Sequence, residues 1–210
     1  MEVFVDDRRV DAGAIAVGTL EDALRQVQAT FCTPDRLVIR LRCDGRDVLA
    51  DAMSATLRRE ASSLRRLDVF TCSRGALVID ALTQASATLT DTEAECERAA
   101  ELLTEGKTAE GIQSLGECLG VWQQIHQAVA QSIQILRLDM TQTRIHEETL
   151  ADLISRPKEV LTQVKQALQV QDHVLLADIL QYEFTDVSAQ WHGVIAGVRT
   201  IAEQFDKPAK

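Results

Sequence analysis

Three polar residues lie in one of the most apolar stretches of the sequence, VLLADILQYEF at positions 174–184. Asp178 and Glu183 carry carboxyl groups of the kind that act as general acids and bases, and Tyr182 carries a hydroxyl. Asp178 and Tyr182 are four residues apart, so on a helix their side chains can hydrogen-bond to each other. Together with a nearby histidine, these groups could form the site of a small hydrolase or transferase.

The helical spacing of the same stretch favours a structural role. Ala177, Leu180 and Phe184 fall on one inward seam. A second apolar stripe consists of Leu175, Leu176 and Ile179. We therefore predict that Asp178, Tyr182 and Glu183 border a second contact surface and are not catalytic.

Common catalytic and metal-binding motifs are missing from the sequence. The segment GKT at 106–108 lacks the glycine five residues earlier that a phosphate-binding loop requires, and Gly106 is instead expected to end a helix. His146 has no second histidine four residues later, and no Glu-x-x-His pair of a di-iron bundle occurs. His126 falls on a helical seam and is predicted to be a core histidine. The sequence thus predicts a protein that is not an enzyme and has no metal or other cofactor.

Charge and cysteine content limit which binding partners and which cellular compartment are expected for this protein. Residues 1–73 carry a net charge of −1 and residues 74–210 a net charge of −9, an imbalance that indicates two modules. A nucleic-acid partner is disfavoured because phosphate binding needs a basic surface. The five cysteines, at 32, 43, 72, 96 and 118, include no Cys-x-x-Cys pair, which favours reduced thiols. No signal peptide and no apolar run of about 20 residues is apparent, so we expect a cytoplasmic protein without a membrane contact.

Residues 1–73 show the pattern strand, strand, helix, strand, short strand, strand. MEVFV alternates like a strand, a second strand is expected from Val10 to Val17, and a helix capped by Thr19 and Asp22 follows, with Pro34 beyond its end. RLVIRLRC leads into an Asp44-Gly45 turn. The residues expected to face the helix are Val3, Val5, Leu37, Ile39, Leu41, Leu67 and Val69. The opposite sheet face would then carry Phe4, Val38, Arg40, Arg42, Arg66 and Phe70.

This order of elements resembles the ubiquitin-like β-grasp fold, and MEVFV is similar to the start of ubiquitin itself. Ubiquitin-like modifiers and sulfur carriers end in a free Gly-Gly, whereas here only Gly75 follows and the chain continues. The resemblance therefore implies the fold without conjugation or sulfur transfer. The arginine-aromatic face could bind RNA or a protein. We favour the alternative that it packs against the acidic second module.

From position 74 onward the apolar period changes to that of a helix. Four seams run from Val78 to Leu103, from Ile112 to Met140, from Leu150 to Leu168 with a break at Pro157, and from His173 to Phe205. Trp122 and Trp191 lie on seams and are predicted to be buried. The expected fold class is α+β: a β-grasp domain at 1–73, an antiparallel four-helix bundle at 74–205 and a disordered tail at 206–210. Two glycine pairs, Gly116/Gly120 and Gly193/Gly197, are expected to allow helices to approach closely.

The two-part layout resembles uncharacterised bacterial proteins that we associate with flagellar gene neighbourhoods. The matching residues are Asp172, Val174, Leu175, Leu176, Ala177, Asp178, Leu180, Tyr182 and Glu183. The resemblance implies an assembly or export role and no known activity. We therefore expect an adaptor or chaperone-like protein that binds a helical segment of a partner protein in an apolar groove. A homodimer is an open alternative, as are the hydrolase or transferase and the RNA-binding module.

Overall fold

The computed structural model describes residues 1–11, 18–33 and 35–205. The chain is a mixed α+β protein, in which a five-stranded sheet comes first and a mostly helical region follows. It divides into two compact units, Met1–Arg74 and Gly75–Lys210. The predicted division lay one residue earlier, between positions 73 and 74. The expected tail at 206–210 lies outside the described residues.

The N-terminal unit is a single sheet with helices in its connections. Its elements are β1 (Glu2–Val5), β2 (Arg8–Val10), α1 (Leu20–Phe31), β3 (Arg36–Cys43), β4 (Arg46–Asp47), α2 (Ala50–Leu57), a 3₁₀ turn (Ala61–Ser63) and β5 (Arg66–Ser73). The strand order is β2-β1-β5-β3-β4, and β1 and β5 pair in parallel at the centre. The other pairs are antiparallel.

Local sequence signals explain several of these elements. Thr19 and Asp22 form the predicted capping box, in which each side chain accepts a hydrogen bond from the other residue's backbone N–H. Asp44 and Gly45 both have positive φ, at 49° and 81°, which is the backbone that a tight hairpin turn needs. Leu20, Ala23 and Val27 of α1 pack on the sheet in one core. That core also contains the sheet residues Val3, Val5, Leu41, Leu67 and Val69, as the alternation predicted.

Three features of this unit differ from the expectation. The second strand is Arg8–Val10, whereas most of the predicted segment, residues 12–17, lies outside the described residues, as does Pro34. Helix α2 was not predicted, because none of its residues is fully buried and only Met53 and Leu57 pack against the core, which is too short an apolar pattern to indicate a helix. The pairing of β3 with β5 shifts between Val38 and Arg40.

This shift reverses the face of the residues before it, because a bulge adds one residue to one strand. Val38 consequently packs against the N-terminal core and does not belong to the opposite face, which corrects its assignment. Ile39, expected to point inward, is 54% exposed. From Arg40 onward the predicted alternation holds, since Leu41 and Cys43 are buried.

The second unit is built from helices and one very short hairpin. Its elements are α3 (Arg74–Thr104), α4 (Thr108–Leu136), β6 (Arg144–Ile145), β7 (Glu148–Thr149), α5 (Leu150–Ser155), α6 (Pro157–Val170), α7 (His173–Asp178), a π-helical turn (Ile179–Glu183) and α8 (Phe184–Phe205). Gly106, with φ at 78°, follows the end of α3 as expected. Pro157 starts α6, so the predicted break falls between α5 and α6.

The helices from α3 to α8, together with Ile145 of β6, share one hydrophobic core that does not include residues of the N-terminal unit. Trp122 and Trp191 are 7% and 1% exposed, which confirms the prediction that both are buried. The seam of α3 is buried from Val78 to Leu103. Four seam residues are instead exposed, three of them near the ends of the predicted seams: Ile112, Met140, Leu161 and Phe205.

Only one of the four paired glycines lies at a close contact. A Cβ on Gly116, Gly120 or Gly193 would meet nothing within 4 Å, so the expected role of these three is wrong. A Cβ on Gly197 would lie 2.6 Å from Ile145 Cγ2. Gly197 therefore lets the β6–β7 hairpin pack on α8, a role for which no other residue has room. Among the described residues, no helix is both long enough and apolar enough to span a bilayer.

Candidate functional site

Five of the predicted site residues form an arginine-aromatic face on the side of the sheet away from α1. The Arg66 guanidinium lies 3.9 Å from the Phe4 ring centroid, and the Arg40 guanidinium lies 4.0 Å from that of Phe70. Arg42 is 5.4 Å from the same Phe70 centroid. These are cation–π distances. The structure thus brings Phe4, Arg40, Arg42, Arg66 and Phe70 together, as the strand alternation predicted.

A buried carboxylate neutralises much of this face. Asp68 is 4% exposed and accepts hydrogen bonds from Arg66 Nη2 and Nε at 2.6 and 2.9 Å. This bond to Asp68 raises the pKa of Arg66 above its ordinary value. Arg42 Nε donates to Asp47 at 3.0 Å. Arg66 and Arg42 are therefore already paired with carboxylates, which leaves fewer free guanidinium groups for a phosphate backbone.

The predicted stripe on the last helical stretch is divided between core and surface. Leu176 and Ile179 are 0% and 2% exposed and belong to the core of the helical unit itself, while Leu175 is 44% exposed. Leu176 and Ile179 are therefore not left over for a partner, contrary to the prediction. The physical reason is the π-helical turn, in which the Phe184 N–H donates to Ile179 O across five residues. The extra residue in that turn lets Ile179, Leu180 and Phe184 all reach the core.

The three polar residues of this stretch do not converge on a site. Asp178 is exposed, Tyr182 is 63% exposed and Glu183 is half-buried. No hydrogen bond or ion pair involving their side chains occurs within residues 1–11, 18–33 and 35–205. The hydrogen bond that the four-residue spacing would allow between Asp178 and Tyr182 is thus not formed. The geometry offers no support for a catalytic arrangement of Asp178 and Glu183.

An apolar cleft that the sequence did not reveal opens between α4, α6 and α8. Its volume is about 390 Å³, and it is lined by Leu119, Trp122, Gln123, His126, Pro157, Val160, Leu161, Phe184 and Val187. The volume falls in the range of about 300–1,000 Å³ that is usual for small-ligand sites. Leu161 is 43% exposed and Gln123 is exposed, whereas Phe184 is 4% exposed. His126 is half-buried, with its ring centroid 5.3 Å from that of Trp191.

A second, smaller cavity of about 200 Å³ carries acidic side chains, and we call it the acidic cavity. Its lining residues are Glu93, Cys96, Glu97, Trp122, Leu180, Phe184, Thr185, Ser188, Ala189 and His192. Ser188 donates a short hydrogen bond to Glu93 Oε1, and His192 Nε2 lies 3.2 Å from the same oxygen. Ser188 and His192 are four residues apart on α8, so they lie on one face of this helix. This spacing was the only local sign in the sequence that the two side chains could meet the same partner.

Two buried thiols meet next to this cavity. Cys96 on α3 and Cys118 on α4 are 4% and 2% exposed. The hydrogen bond from Cys96 to Cys118, together with burial, raises the pKa of Cys96, so this thiol stays protonated. In the described part of the chain, no three His, Cys, Asp or Glu side chains are grouped closely enough to hold a metal ion.

Comparison with known proteins adds a family without an assigned function. Residues 80–194 match DUF8042, a domain of unknown function. The chain belongs to this family. The matched segment contains every lining residue of the apolar cleft and of the acidic cavity. No curated protein sequence and no solved structure is detectably similar to the chain.

Proposed function

We propose that the chain is a non-enzymatic cytoplasmic adaptor or chaperone-like protein that binds an apolar helical segment of a partner protein. The observation that carries this proposal is the apolar cleft between α4, α6 and α8. Its floor is Trp122 and Phe184, its rim includes the exposed Leu161, and its only polar side chains are Gln123 and His126. A helix bound in such a groove contributes apolar anchors at intervals of three or four residues.

The chemistry of the cleft suits a protein side chain better than a reacting substrate. No carboxylate, thiol or hydroxyl lines it, so among its lining residues only His126 could transfer a proton. Apolar contacts supply most of the binding free energy in such a groove, and one or two hydrogen bonds to Gln123 or His126 would fix the register. Because of the resemblance to proteins from flagellar gene neighbourhoods, helical segments of assembly or export proteins are the first partners to test.

We also propose a finer fold for each unit. The order β2-β1-β5-β3-β4, with β1 parallel to β5 and α1 before β3, supports a ubiquitin-like β-grasp domain. For the helical unit, the order of helices supports an antiparallel four-helix bundle. Its four helical segments would be α3, α4, α5 continued by α6, and α7 continued by α8. In this arrangement the apolar cleft lies between three of the four helical segments.

A pair of matched charge substitutions tests the proposed binding site. Leu161→Glu puts a charge at the rim of the cleft, whereas Leu175→Glu puts the same charge on an equally exposed leucine outside it, at 43% and 44% exposure. A buried leucine contact is worth about 1.5–3 kcal/mol, so Leu161→Glu should reduce partner capture roughly 10- to 100-fold. Capture from native lysate by the tagged full-length chain is quantified by mass spectrometry for each variant.

Thermal unfolding of both variants serves as the control, since neither leucine is buried and neither change should alter the midpoint strongly. Leu175→Glu should leave capture of the same partner unchanged. If Leu175→Glu abolished capture and Leu161→Glu did not, the partner would bind at the predicted stripe and the proposal for the cleft would be wrong.

A further inference from the structure

We propose that Cys96 and Cys118 are a peroxide-sensitive thiol pair, in which oxidation forms a disulfide between α3 and α4 and displaces Trp122 at the floor of the apolar cleft. These two residues are the only cysteines in the sequence from position 75 to 210. Cys96 is 4% and Cys118 is 2% exposed, and the two thiols are hydrogen-bonded to each other. The helical unit thus brings both of its sulfur nucleophiles into contact.

The packing of α3 on α4 places the two cysteines opposite each other. The helices are joined by three residues, 105–107, and a Cβ on Gly111 would lie 2.7 Å from Leu103 Cγ. Gly111 therefore marks a point where α4 approaches α3 closely. Cys96 lies seven residues before Leu103, and Cys118 lies seven residues after Gly111. Seven residues are about two helical turns, so both cysteines lie on the facing sides of the two helices and at the same distance from that point.

The hydrogen bond gives the two sulfurs different roles. Cys96 donates it, which lowers the pKa of Cys118 below its ordinary value and raises the pKa of Cys96. Cys118 is therefore the thiol that more readily forms the nucleophilic thiolate, and Cys96 supplies the second sulfur.

The acidic cavity gives a small oxidant access to this pair, because Cys96 is one of its lining residues. Glu93 and Glu97 line the same cavity and repel anionic oxidants such as oxidised glutathione. A neutral oxidant little larger than water fits both the charge and the small volume of the cavity. Hydrogen peroxide meets these conditions.

The reaction consumes one peroxide and both thiol protons. The Cys118 thiolate attacks one peroxide oxygen, the O–O bond breaks, and the departing hydroxide takes up the proton that Cys118 had released, which leaves a sulfenic acid on Cys118. The Cys96 sulfur then attacks the sulfenic sulfur while its own proton passes to the departing hydroxyl group, so the S–O bond breaks and a second water forms. Peroxide is thereby reduced to two waters, and the two thiols are oxidised to one disulfide.

The disulfide acts on the apolar cleft through α4. Two covalently bonded sulfurs lie closer together than two hydrogen-bonded ones, so α4 moves toward α3 at Cys118. Leu119 and Trp122, which line the cleft, follow Cys118 within about one helical turn. Trp122 also packs edge to face on Phe184, with ring centroids 5.2 Å apart, so its displacement changes the floor of the cleft. This regulation of the cleft rests on the proposed function, whereas the thiol chemistry does not.

Mass spectrometry of the full-length chain tests the thiol pair. After peroxide treatment, tryptic digestion should give residues 75–98 linked to residues 108–137, at a mass about 2 Da below the sum of the two peptides, and dithiothreitol should separate them. Cys96→Ala and Cys118→Ala should each abolish this product. Cys72→Ala is the matched control, since Cys72 is half-buried in the N-terminal unit, and it should leave the product unchanged. If the two wild-type peptides stayed unlinked at peroxide concentrations that oxidise Cys72, the proposal would be wrong.

The indole N–H signals of the two tryptophans, observed by NMR in ¹⁵N-labelled protein, test the effect on the cleft. We expect the Trp122 signal to shift when the disulfide forms and to return after reduction with dithiothreitol. The same treatment of Cys118→Ala should leave it in place. A disulfide that formed without moving the Trp122 signal would overturn the link to the cleft. Neither measurement uses a partner protein, so both are independent of the capture experiment that tests the proposed function.

Discussion

At the scale of single residues, the Asp6 side chain makes three hydrogen bonds within the N-terminal unit. It follows β1, and its carboxylate accepts from the Thr71 backbone N–H and hydroxyl, both at 2.7 Å, and from Arg36 Nη2 at 3.1 Å. Burial would raise the pKa of Asp6, but the hydrogen bonds from Thr71 and the charge of Arg36 outweigh it and hold the pKa below its ordinary value. Asp6 thereby joins the end of β1 to β5 and β3.

We expect Asp6→Asn to lower the free energy of unfolding by about 1–2 kcal/mol at pH 7, because it removes a charged acceptor from a partly exposed network. The folded-state pKa of Asp6 is lowered, so its contribution is complete above the unfolded-state pKa of about 4 and is lost as the pH falls through the folded-state value. Urea unfolding of wild type and variant between neutral and acid pH should therefore show curves that converge at low pH. Asp7→Asn is the control, since Asp7 is exposed and adjacent; a constant gap between wild type and Asp6→Asn at every pH would contradict the assignment.

Sequence alternation located most individual residues correctly and missed those that depend on distant partners. The five residues of the arginine-aromatic face follow from a two-residue period alone. Val38 does not, because the bulge next to it leaves no mark in the sequence. Glu93 and Ser188 are 95 positions apart, so no local spacing could predict their bond. The apolar cleft could not be predicted for the same reason, because its lining residues come from distant parts of the sequence, from Leu119 to Val187.

At the scale of elements, the π-helical turn Ile179–Glu183 explains why the last helical stretch has so wide an apolar surface. A regular helix advances about 100° per residue, so Ile179 and Phe184, five residues apart, would lie about 140° apart around it, although both are buried. The turn is preceded by the buried Leu176 and Ala177 and begins with the buried Ile179 and Leu180. The sequence did predict contacts on more than one side here. The sequence could not reveal the π-helical turn, because the same residues are compatible with a regular α-helix.

Deletion of one residue tests this interpretation of the turn. Removing Tyr182, which is 63% exposed, should convert the five-residue turn to a regular helical one and keep α7 and α8 in phase. We expect helicity by circular dichroism to be retained and stability to fall by less than about 2 kcal/mol.

Removing the exposed Gln190 from the regular helix α8 is the matched control. It should rotate the rest of α8 by about 100° and take Trp191 out of register with the core. The cost should be at least that of losing one buried tryptophan, roughly 3–5 kcal/mol. If the two deletions lowered the stability equally, the π-helical turn would not be one extra residue inserted into an otherwise regular helix.

At the scale of the whole molecule, the chain has two hydrophobic cores that share no residue. One extends from Val3 to Val69 and the other from Val78 to Ala202. The change of apolar period and of charge near position 74 indicated this separation, because both properties are set by local sequence. The strand β5 ends at Ser73 and helix α3 begins at Arg74, so no linker composition marks the boundary.

Because the cores are separate, we expect the fragments 1–74 and 75–210 each to fold alone. The fragment 75–210 should give a helical circular dichroism spectrum and a cooperative urea transition. The fragment 1–74 should be less stable, since a domain of this size buries a smaller share of its surface, and its denaturant slope should be lower. The two spectra, weighted by length, should add up to that of the full chain. A fragment 75–210 that showed no cooperative transition, or a strand-like spectrum, would mean that the helical core depends on the N-terminal unit and that the two cores form a single folding unit.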